Sequence, residues 1–420
     1  MGYALIDGNS MYVACETVHQ PQYRRVPCVV LSNNDGAVVA ANRLAVELGI
    51  RKYEAYFKQK AKIELHKVKV FSSNYAEYFS LSQKMMGVIS SFSQRNHIYS
   101  IDEMYLDLAG HVEAMSDVRQ FGLNIRKEVW RCCRIPVSFG YANTLTLSKV
   151  ANKLAKSKPE YSGVYVIDTE QQRVESLKKT LIKDVWGIGK KLSTQMKYLG
   201  IATAWDFASR PVTEIQRNFN VNVERCHREL NNERCLNWDD CRDDKQTIMS
   251  TRSVGKRITD IDSLKQALSF HANIVARKCR EQKSSCRTLM TFASSSPYDS
   301  NPKSFKRIHT FEHATNDSTR ITKAVTDIAE QCFQSDVPYY KVGVAALELV
   351  SDRQRQVDLF AEPEDPALMD VLDALNNRYG RGSVFLGAQG TNEKQEWEMK
   401  REFLSPCFTT RVADFPVIQC

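Results

Sequence analysis

The segment Tyr99-Ser100-Ile101-Asp102-Glu103-Met104-Tyr105-Leu106 alternates between apolar and polar residues, as one part of a β-hairpin does. It places two adjacent carboxylates, Asp102 and Glu103, inside an otherwise apolar strand pair. A third carboxylate, Asp7, ends the apolar strand candidate Tyr3–Ile6 near the start of the chain. Carboxylates in apolar surroundings cost free energy unless positive charge neutralises them. The three positions are therefore candidate ligands of bound cations.

Two divalent cations would neutralise this acidic group. Magnesium prefers a few carboxylates together with phosphate oxygens from a substrate. Two such ions about 3.5–4 Å apart activate an attacking hydroxyl and stabilise the leaving oxygen of an in-line phosphoryl transfer. The residues alone leave an alternative open, in which Asp102 and Glu103 are turn carboxylates facing solvent and Asp7 is the N-cap of a helix.

Around this segment, the first 165 residues have the pattern of an α/β domain. Short apolar runs predict strands at Tyr3–Ile6, Pro27–Leu31 and Ile135–Tyr141, and a hairpin is predicted at His97–Leu108. Apolar residues recur at helical spacing in Tyr75–Ile89, Gly110–Arg131 and Thr144–Lys156. Residues 168–240 show helical patterns without strand patterns.

A different order of elements follows from about residue 245. The patterns predict β-α-β-β-α-β, the split-βαβ arrangement, over Thr247–Val254, Ser263–Arg280, Thr288–Ala293, Lys306–Phe311, Ser318–Phe333 and Lys341–Val350. Residues 245–350 contain 16 Lys and Arg against 10 Asp and Glu. This excess favours a polyanionic partner. Residues 351–420 have the composition of a polar linker followed by an appended tail.

The composition of all 420 residues is ordinary for a globular protein. Apolar residues make up 43% of the chain, and the formal net charge is +9. No apolar run reaches the roughly 18 residues that span a bilayer, and the N-terminus lacks the basic region of a secretory signal. The twelve cysteines include no Cys-x-x-Cys pair, which predicts reduced thiols in a cytosolic protein and no zinc site.

Several motifs carry a resemblance to a known family. Asp7-Gly8-Asn9-Ser10-Met11-Tyr12-Val13-Ala14-Cys15-Glu16 resembles the opening palm motif of Y-family (lesion-bypass) DNA polymerases, and Tyr99–Glu103 resembles their second metal motif. Further segments are similar to the UmuC-type catalytic subunit of bacterial DNA polymerase V: Ser32–Gly36, Phe57–Lys60, Phe71–Tyr75, Asp184–Gly189, Gly380–Gly382, Trp397–Arg401 and Leu404–Pro406. The resemblance is collinear and covers essentially the whole chain.

The resemblance implies an α/β multidomain, right-hand polymerase. Its expected parts are a palm (1–18 and 75–165), fingers (19–74), a helical thumb with a helix-hairpin-helix turn (166–240), a βαββαβ little finger (245–350), and a clamp-binding linker with a UmuC-type C-terminal tail (351–420). The implied activity is error-prone, template-directed translesion synthesis in the SOS response to DNA damage, without a proofreading exonuclease. The implied location is the bacterial cytoplasm, in association with the nucleoid and not with a membrane.

The same resemblance assigns roles at the nucleotide site. Asp7, Asp102 and Glu103 match the residues that bind two Mg²⁺ ions, and the main-chain carbonyl of Gly8 helps to hold one of them. Tyr12 matches the steric gate, whose ring clashes with a 2′-hydroxyl and so selects dNTPs by exclusion. Met11 and Lys156 match nucleotide-binding positions, with Lys156 on the triphosphate. Taken alone, Tyr12 also fits simple packing of a helix.

The fingers depart from the family pattern at two positions. Val46 stands where the family has a basic residue, and Ala40 stands where it has a hydroxyl donor. Arg43 precedes Val46 by three residues, which is about one helical turn. We therefore name Arg43 as a candidate substitute that binds the nucleotide.

DNA contacts are expected in two places. Trp186-Gly187-Ile188-Gly189-Lys190-Lys191 resembles a helix-hairpin-helix turn, in which Gly187, Gly189 and Lys190 bring N–H groups and charge to a phosphate. An ordinary packing corner between helices is the alternative. In the basic C-terminal domain the candidates are Arg252, Lys256, Arg257, Lys306 and Arg307, some of which belong to an ordinary solvated surface. Such phosphate contacts predict DNA affinity that falls steeply with salt.

Partners are expected at the C-terminal end of the chain. Gln356-Val357-Asp358-Leu359-Phe360 resembles the short peptide that anchors bacterial polymerases to the β sliding clamp, with Gln356, Leu359 and Phe360 as the anchoring residues. Tethering of this kind raises the local concentration of the enzyme on DNA. The family resemblance further implies a UmuD′-type dimer and a RecA-type recombinase filament as partners, beside primer-template DNA and dNTP.

Two other functions remain open from the sequence. One is another palm-type two-metal catalyst, such as a nucleotide cyclase, which needs no grip on duplex DNA. The other is a DNA-binding regulatory or checkpoint subunit with weak or vestigial catalysis, for which Val46 leaves room. The presence of all three carboxylates and Tyr12 disfavours the regulatory subunit.

Overall fold

A computed structural model describes residues 2–109, 117–238, 244–354, 364–380, 382–391, 395–409 and 411–415. The chain divides into two compact units. The N-terminal unit comprises Met1–Leu31, Ala37–Arg242 and Phe403–Cys420, and the C-terminal unit comprises Ser32–Gly36 and Asp243–Glu402. Each unit has its own apolar core.

The N-terminal unit contains two sheets and a group of helices. Its strands are β1 (Tyr3–Gly8), β2 (Cys28–Leu31), β3 (Val38–Ala41), β4 (Lys69–Ser72), β5 (Asn96–Ile98), β6 (Glu103–Asp107), β7 (Val137–Ala142) and β8 (Val164–Val166). Its helices are α1 (Met11–Val18), α2 (Arg43–Glu47), α3 (Tyr56–Leu65), α4 (Tyr75–Ser90), α5 (Val118–Cys133), α6 (Leu145–Ala155), α7 (Glu170–Lys179), α8 (Lys190–Tyr198), α9 (Ala204–Ala208), α10 (Val212–Asn218) and α11 (Val221–Leu230).

The larger sheet has the strand order β5-β6-β1-β7-β8 and positions the acidic residues. Strand β1 lies at its centre and pairs antiparallel with both β6 and β7. In this register Asp7 lies opposite Glu103 on one side and opposite Ser138 on the other. Successive residues of β1 from Ala4 to Ile6 are buried, as expected for a central strand that is covered on both faces.

Helix α6 packs unusually closely on this sheet. A Cβ atom at Gly140 of β7 would lie 2.1 Å from the main-chain nitrogen of Asn152, so only glycine permits this approach. The buried Asn152 amide then donates to the main-chain oxygens of Leu5 and Ser138, at 2.9 and 3.0 Å. These bonds fix the helix across β7 and β1, the strand that carries Asp7.

The smaller sheet, β3-β2-β4, forms its own core with α2 and α3. Strands β2 and β3 are antiparallel, whereas β2 and β4 are parallel. The side chain of Asn42 caps α2 by accepting from the N–H of Ala45, and it also accepts from the N–H of Cys28. Helix α2 is thereby held at the end of β3, close to the start of α1.

The C-terminal unit is built on a four-stranded antiparallel sheet in the order β11-β10-β12-β9. Its elements are β9 (Ile248–Ile258), α12 (Ile261–Glu281), β10 (Ser284–Ser294), β11 (Ser304–Thr315), α13 (Ser318–Cys332), β12 (Tyr339–Ser351) and α14 (Pro366–Tyr379). From β9 to β12 this is the β-α-β-β-α-β order predicted from the sequence. Apolar residues of α12 and α13 share one core with the sheet.

Described residues beyond the last strand pack on the C-terminal unit, whereas the sequence had suggested a simple appended tail. Helix α14 packs on this unit, where the guanidinium of Arg280 donates to both oxygens of Asp373, at 2.7 and 2.9 Å. The side chain of Trp397 is 6% exposed and joins the same core. Residues 364–402 are therefore a structural part of the C-terminal unit.

Some boundaries differ from the sequence prediction. Helix α5 begins at Val118, because Asp117 accepts from the N–H of Arg119 and caps it, whereas the pattern placed its start at Gly110. Residues 110–116 lie outside the described residues. The ten cysteines that the structure describes are all free thiols. Among the described helices, none has both the length and the apolar content that crossing a bilayer requires.

Candidate active site

A cleft of about 980 Å³ opens in the N-terminal unit. Its walls come from the end of β1 and the start of α1, from β3 and α2, and from the C-terminal end of α6. Asp7, Gly8, Met11, Tyr12 and Asp102 all line it. Arg43 and Lys156, the two cationic residues that the sequence assigned to the nucleotide, line it as well.

The three carboxylates predicted to bind metal are neighbours on the backbone. Asp7 and Glu103 are paired across β1 and β6, and the N–H of Gly8 donates to the main-chain oxygen of Asp102 at 2.8 Å. Their side chains each have a different partner. Lys156 Nζ lies 2.5 Å from Asp7 Oδ1, and Lys149 Nζ donates to Glu103 Oε1 at 2.7 Å.

Asp102 is held by a hydroxyl instead of a lysine. The Ser100 hydroxyl donates to Asp102 Oδ1 at 2.6 Å and accepts from the main-chain N–H groups of Asp102 and Glu103. This local turn is the reason the chain can place two successive carboxylates at the start of β6. Ser100 was not among the residues chosen from the sequence, although it belongs to the same motif.

Burial controls the protonation of Asp7. Loss of solvent raises the pKa of this carboxyl from 3.8 to about 6. The ammonium of Lys156 lowers the pKa, while the neighbouring carboxylates of Glu103 and Asp102 raise it. A carboxylate in this position therefore needs a nearby cation to remain ionised at neutral pH.

Across the part of the chain that the structure describes, no three His, Cys, Asp or Glu side chains are gathered closely enough to hold a metal ion. The acidic residues nevertheless have the chemistry of a divalent-cation site. Asp7 and Glu103 are paired across β1 and β6, Asp102 precedes Glu103 in the chain, and two lysine ammonium groups supply compensating charge. Both lysine side chains are flexible, so a hard cation such as Mg²⁺, which oxygen ligands prefer, can displace their ammonium groups from the carboxylates.

The two lysines are on one face of α6. Lys149 and Lys156 are seven residues apart, which is about two helical turns. The ammonium of Lys149 also lies 4.5 Å from the ring centre of Tyr99 and 5.5 Å from that of Trp186. Sequence reasoning chose Lys156 and missed Lys149. The seven-residue spacing was the signal that pointed to both.

A buried carboxylate holds the N-terminal end of this helix. Glu229 of α11 is fully buried, and its Oε2 accepts from the N–H of Thr146 at 2.9 Å. Its main-chain oxygen accepts from the hydroxyl of Thr144 at 3.0 Å, and its Oε1 accepts from the N–H groups of Cys235 and Leu236. Negative charge at a helix N-terminus is favourable. Helix α6 is thus fixed at one end by α11.

Tyr12 is held by two tyrosines of α4. The Tyr78 ring stacks on it with centroids 4.8 Å apart and planes 15° apart, and the Tyr75 ring meets it edge-on at 5.8 Å. Tyr78 is fully buried, whereas Tyr12 is half-buried and lines the cleft. Burial raises the pKa of Tyr12, so its hydroxyl stays protonated at neutral pH. Ser10, just before α1, donates to the main-chain oxygen of Ala41 at 3.0 Å and places the helix start beside β3.

The wall of the cleft formed by β3, α2 and the residues after α2 has a different set of charges from the one expected. Val46 is exposed and Ala40 is buried, and both line the cleft. Arg43 pairs with Glu47 at 2.7 Å on the surface of α2. Lys52 lines the cleft beyond α2 and is a cation that sequence reasoning missed.

Two more missed cations line the opposite wall. They are Arg126 of α5 and Lys158, which follows α6. Arg126 Nε donates to the main-chain oxygen of Val137 at 2.7 Å, and burial lowers the pKa of its guanidinium. The sequence alone contains no signal that separates Lys52, Arg126 and Lys158 from the other members of a set of 58 Lys and Arg.

The turn before α8 has the features expected of a phosphate-binding turn. Gly187 has φ +83°, a conformation that favours glycine, and a Cβ atom at Gly189 would meet only open space. Gly189 is the N-cap of α8 and forms no side-chain capping bond, and Lys190 begins the helix. The N–H groups of the first turn therefore have no side-chain acceptor from the N-cap residue.

The basic candidates of the C-terminal unit fall into two groups. Those of β9 have partners within the unit: Arg252 lies 5.8 Å from the Phe270 ring centre, Lys256 pairs with Glu396 at 2.5 Å, and Arg257 donates twice to Asp299 at 2.6 and 2.8 Å. Lys306 and Arg307 are exposed on the edge strand β11. The clamp-motif residues Gln356, Leu359 and Phe360 lie outside the described residues.

Comparison of the sequence with known families and proteins gives matches over most of the chain. The "impB/mucB/samB family" matches residues 6–153, the "impB/mucB/samB family C-terminal domain" matches 245–359, and a domain of unknown function, DUF4113, matches 366–418. Protein UmuC of Salmonella typhimurium is 38% identical over 419 residues, covering 98% of this chain and 99% of that protein. Protein ImpB of Salmonella typhimurium is 36% identical over 423 residues, covering 99% of each chain.

More distant proteins share the fold. DNA polymerase IV of Oceanobacillus iheyensis is 23% identical over 407 residues, covering 94% of this chain and 93% of that protein. A Y-family DNA polymerase chimera of Dbh and Dpo4 has a TM-score of 0.66 at 19% identity, covering 84% of this chain and 100% of its own. An insertion ternary complex of Dbh DNA polymerase has a TM-score of 0.52 at 20% identity with the same coverage.

Proposed function

The chain belongs to the impB/mucB/samB family of UmuC-like Y-family DNA polymerases, and we propose that it copies damaged templates in the SOS response by two-metal nucleotidyl transfer. As a member of this family it is a DNA-directed DNA polymerase that binds DNA and dNTP. The observation that carries the proposal is the cleft itself. It brings Asp7, Asp102 and Tyr12 together beside Lys156.

The polymerases of this family depend on metal ions, and here we propose two Mg²⁺ ions. Asp7, Asp102 and Glu103, with the main-chain oxygen of Gly8, would hold them. When bound, the ions supply charge that activates the primer 3′-hydroxyl and stabilises the leaving pyrophosphate. In the structure Lys149 balances Glu103 and Lys156 balances Asp7, and both ammonium groups would compete with bound ions for these carboxylates.

The cations around the cleft would then hold the triphosphate. Lys156 lies next to Asp7, and its ammonium would bind a phosphate oxygen. Lys52 and Arg126 line the cleft and would add positive charge around the triphosphate, whereas Arg43 also lines it but pairs with Glu47. Met11 lies at the start of α1 in the same cleft and would contact the nucleotide by packing.

Tyr12 would select the sugar. Its ring cannot retreat from the cleft, because the buried Tyr78 ring stacks on its inner face. A ribose 2′-hydroxyl above the ring would therefore clash, and the nucleotide would be excluded by repulsion. This arrangement supports a role in choosing dNTPs over rNTPs.

The protein would bind duplex DNA without recognising its base sequence. The uncapped start of α8, with Gly187, Gly189 and Lys190, suits a phosphate of the DNA backbone. In the C-terminal unit, Lys306 and Arg307 on β11 would contact phosphates directly. Arg252, Lys256 and Arg257 of β9 would first have to leave their intramolecular partners. Contacts of this kind bind DNA of any sequence.

The accessory partners are proposals that rest on the family resemblance. Gln356, Leu359 and Phe360 would bind the β sliding clamp, and the C-terminal residues would serve a UmuD′-type dimer and a RecA-type filament. A polymerase with these partners works on chromosomal DNA, in the cytoplasm and at the nucleoid. Loss of the Gln356–Phe360 motif should reduce synthesis only when the clamp is present.

Primer extension tests the proposal. Wild-type protein, supplied with clamp and activating partner, should extend a primer in the presence of Mg²⁺, and Asp102→Ala and Glu103→Ala should abolish extension. Lys153→Ala is a suitable control, because this residue lies on the same helix and pairs with Asp184, which is not part of the acidic site. If wild type added no more nucleotides than the two variants, the result would favour the alternative function as a regulatory or checkpoint subunit.

A further inference from the structure

The described C-terminal residues 403–409 and 411–415, here called the tail segment, belong to the N-terminal unit. The segment starts with a pair of bonds to the end of β4. The N–H of Ser72 donates to the main-chain oxygen of Phe403 at 2.9 Å, and the N–H of Phe403 donates to the hydroxyl of Ser72 at 3.0 Å. The tail segment is thereby placed beside the start of α4.

Buried polar groups of α4 then bond to the tail segment. The Asn74 amide, only 2% exposed, donates to the main-chain oxygen of Ser405 at 3.1 Å and to its hydroxyl at 3.2 Å. The Glu77 carboxylate, 3% exposed, accepts from the N–H and the hydroxyl of Thr409 at 3.1 and 2.7 Å. On its other oxygen Glu77 lies 3.3 Å from His19 Nε2.

A second buried carboxylate holds the tyrosine that lies behind Tyr12. Glu16 of α1 accepts from the hydroxyl of Tyr78 at 2.5 Å. Tyr78 is the ring that stacks on the inner face of Tyr12. Ser405 is linked to the same tyrosine through Asn74, the N-cap of α4, because the main-chain oxygen of Asn74 accepts from the N–H of Tyr78 at 3.0 Å.

These contacts are costly to lose. A buried polar group left without its partner is destabilising, and the tail segment provides partners for two such side chains, those of Asn74 and Glu77. Both lie at the start of α4, next to the tyrosines that back the cleft. Without the tail segment, both side chains would have to find new partners, and the Tyr78 ring behind Tyr12 would lose this support.

We propose that the tail segment is a working part of the nucleotide site, in which Ser405 and Glu16 are positioning residues that hold Tyr78 against Tyr12 and so sharpen the rejection of ribonucleotides. The proposal rests on the sugar-selecting role of Tyr12 given above. It assigns a task to residues 403–415 of a region whose matching domain is of unknown function.

The test compares incorporation of dNTP and rNTP by the full chain on primer-template DNA. The measured quantity is the ratio of kcat/KM for dNTP to kcat/KM for the matching rNTP. Ser405→Ala combined with Thr409→Val should lower this ratio roughly 3- to 10-fold, with kcat/KM for dNTP changing less than about 2-fold. Ser405→Thr keeps the hydroxyl and should restore the ratio. Leu404→Ala, at an exposed neighbour in the same segment, is the control and should leave the ratio unchanged.

Tyr12→Ala provides the reference. If it lowers the ratio while the tail variants leave the ratio at its wild-type value, the tail segment is only a cover and the inference is wrong, although Tyr12 keeps its role. If Tyr12→Ala itself leaves the ratio unchanged, the proposed role of Tyr12 fails first, and the inference fails with it. If the double variant does not fold, the same comparison is made with Ser405→Ala, whose circular dichroism spectrum is first checked against that of wild type.

Discussion

Lys156 Nζ lies 2.5 Å from Asp7 Oδ1, so the ammonium group that is expected to bind the triphosphate also neutralises a carboxylate that is expected to bind metal. The two residues come from β1 and from the end of α6, and the close contact between helix and sheet brings them together. The same lysine would thus have two partners, Asp7 in the empty cleft and the triphosphate when nucleotide is bound.

We expect Lys156→Ala to raise the KM for dNTP about 10- to 100-fold, because a charge-assisted hydrogen bond contributes about 1.5–3 kcal/mol. Steady-state primer extension at saturating DNA measures the effect. Lys153→Ala, one turn earlier on the same helix, should change KM less than about 2-fold, since this side chain pairs with Asp184. Equal effects of the two variants would contradict the assignment.

Lys149 should matter for stability more than for substrate binding. It pairs with Glu103 where both side chains are less than 20% exposed, and removal of one partner leaves a charge without compensation. Lys149→Ala should lower the free energy of unfolding by about 2 kcal/mol in the presence of EDTA. Addition of Mg²⁺ should raise the free energy of unfolding more in Lys149→Ala than in wild type, because the ion supplies the missing positive charge. Urea denaturation with and without Mg²⁺ measures both quantities.

The departure at Val46 leads to a prediction for the fingers. Arg43 is paired with Glu47, whereas Lys52 lines the cleft. We expect Lys52→Ala to raise the KM for dNTP roughly 5-fold and Arg43→Ala to change it less than about 2-fold. Val46→Lys should lower KM, because it adds a cation to the wall of the cleft. A larger effect of Arg43→Ala than of Lys52→Ala would reverse the assignment.

Glu16 should make stability depend on pH. Burial raises its pKa from 4.5 to about 7, while its hydrogen bonds to Tyr78 and Ser405 and the charge of Lys69 oppose the rise and the charge of Glu77 adds to it. The folded protein therefore holds a proton that the unfolded chain releases at lower pH. This contribution to stability is complete below pH 4.5 and is lost as the pH rises through 7.

The change amounts to roughly 3 kcal/mol between pH 5 and pH 8. Glu16→Gln carries no titrating group there, so its stability relative to wild type should increase over this range. Urea denaturation at pH 5, 6, 7 and 8 gives the comparison. Parallel pH profiles for the two proteins would show that Glu16 does not titrate as expected.

The C-terminal unit allows a matched test of DNA binding. Lys306→Ala and Arg307→Ala should each reduce the slope of log affinity against log salt by about 1, because each removes one phosphate contact. Arg257→Ala should change the slope less, since its guanidinium is occupied by Asp299. Fluorescence anisotropy with labelled primer-template at several salt concentrations measures the slopes. A larger change from Arg257→Ala would mean that the arginine leaves Asp299 on DNA.

The sequence pattern predicted the elements that carry the carboxylates, because strand alternation and helix spacing are local signals. It also identified the β-α-β-β-α-β order of residues 248–351, which is confirmed. The partners of the carboxylates were harder to foresee. Lys149 and Lys156 come from α6, and their pairing depends on how Gly140 lets that helix approach the sheet.

Contacts between distant parts of the chain were missed for a physical reason. Asn74 and Ser405 are separated by 331 positions, and no periodic pattern marks such a pair. Lys52 was missed because a lysine in a turn has no distinguishing spacing. Tyr78 fits the helical pattern of α4, but its stacking on Tyr12 follows from packing alone.

Glu229 connects α6 to α11, which lies outside the sheet that contains the carboxylates. Any force that duplex DNA exerts on the helices from α7 to α11 reaches α6 through the bonds of Glu229 to Thr146 and Thr144. Such a force would rotate α6 slightly about its contact with Glu229 and would thereby move the lysines farther along the helix. If these helices hold the duplex as proposed, a substitution that changes that hold would therefore also be transmitted to the lysines of α6.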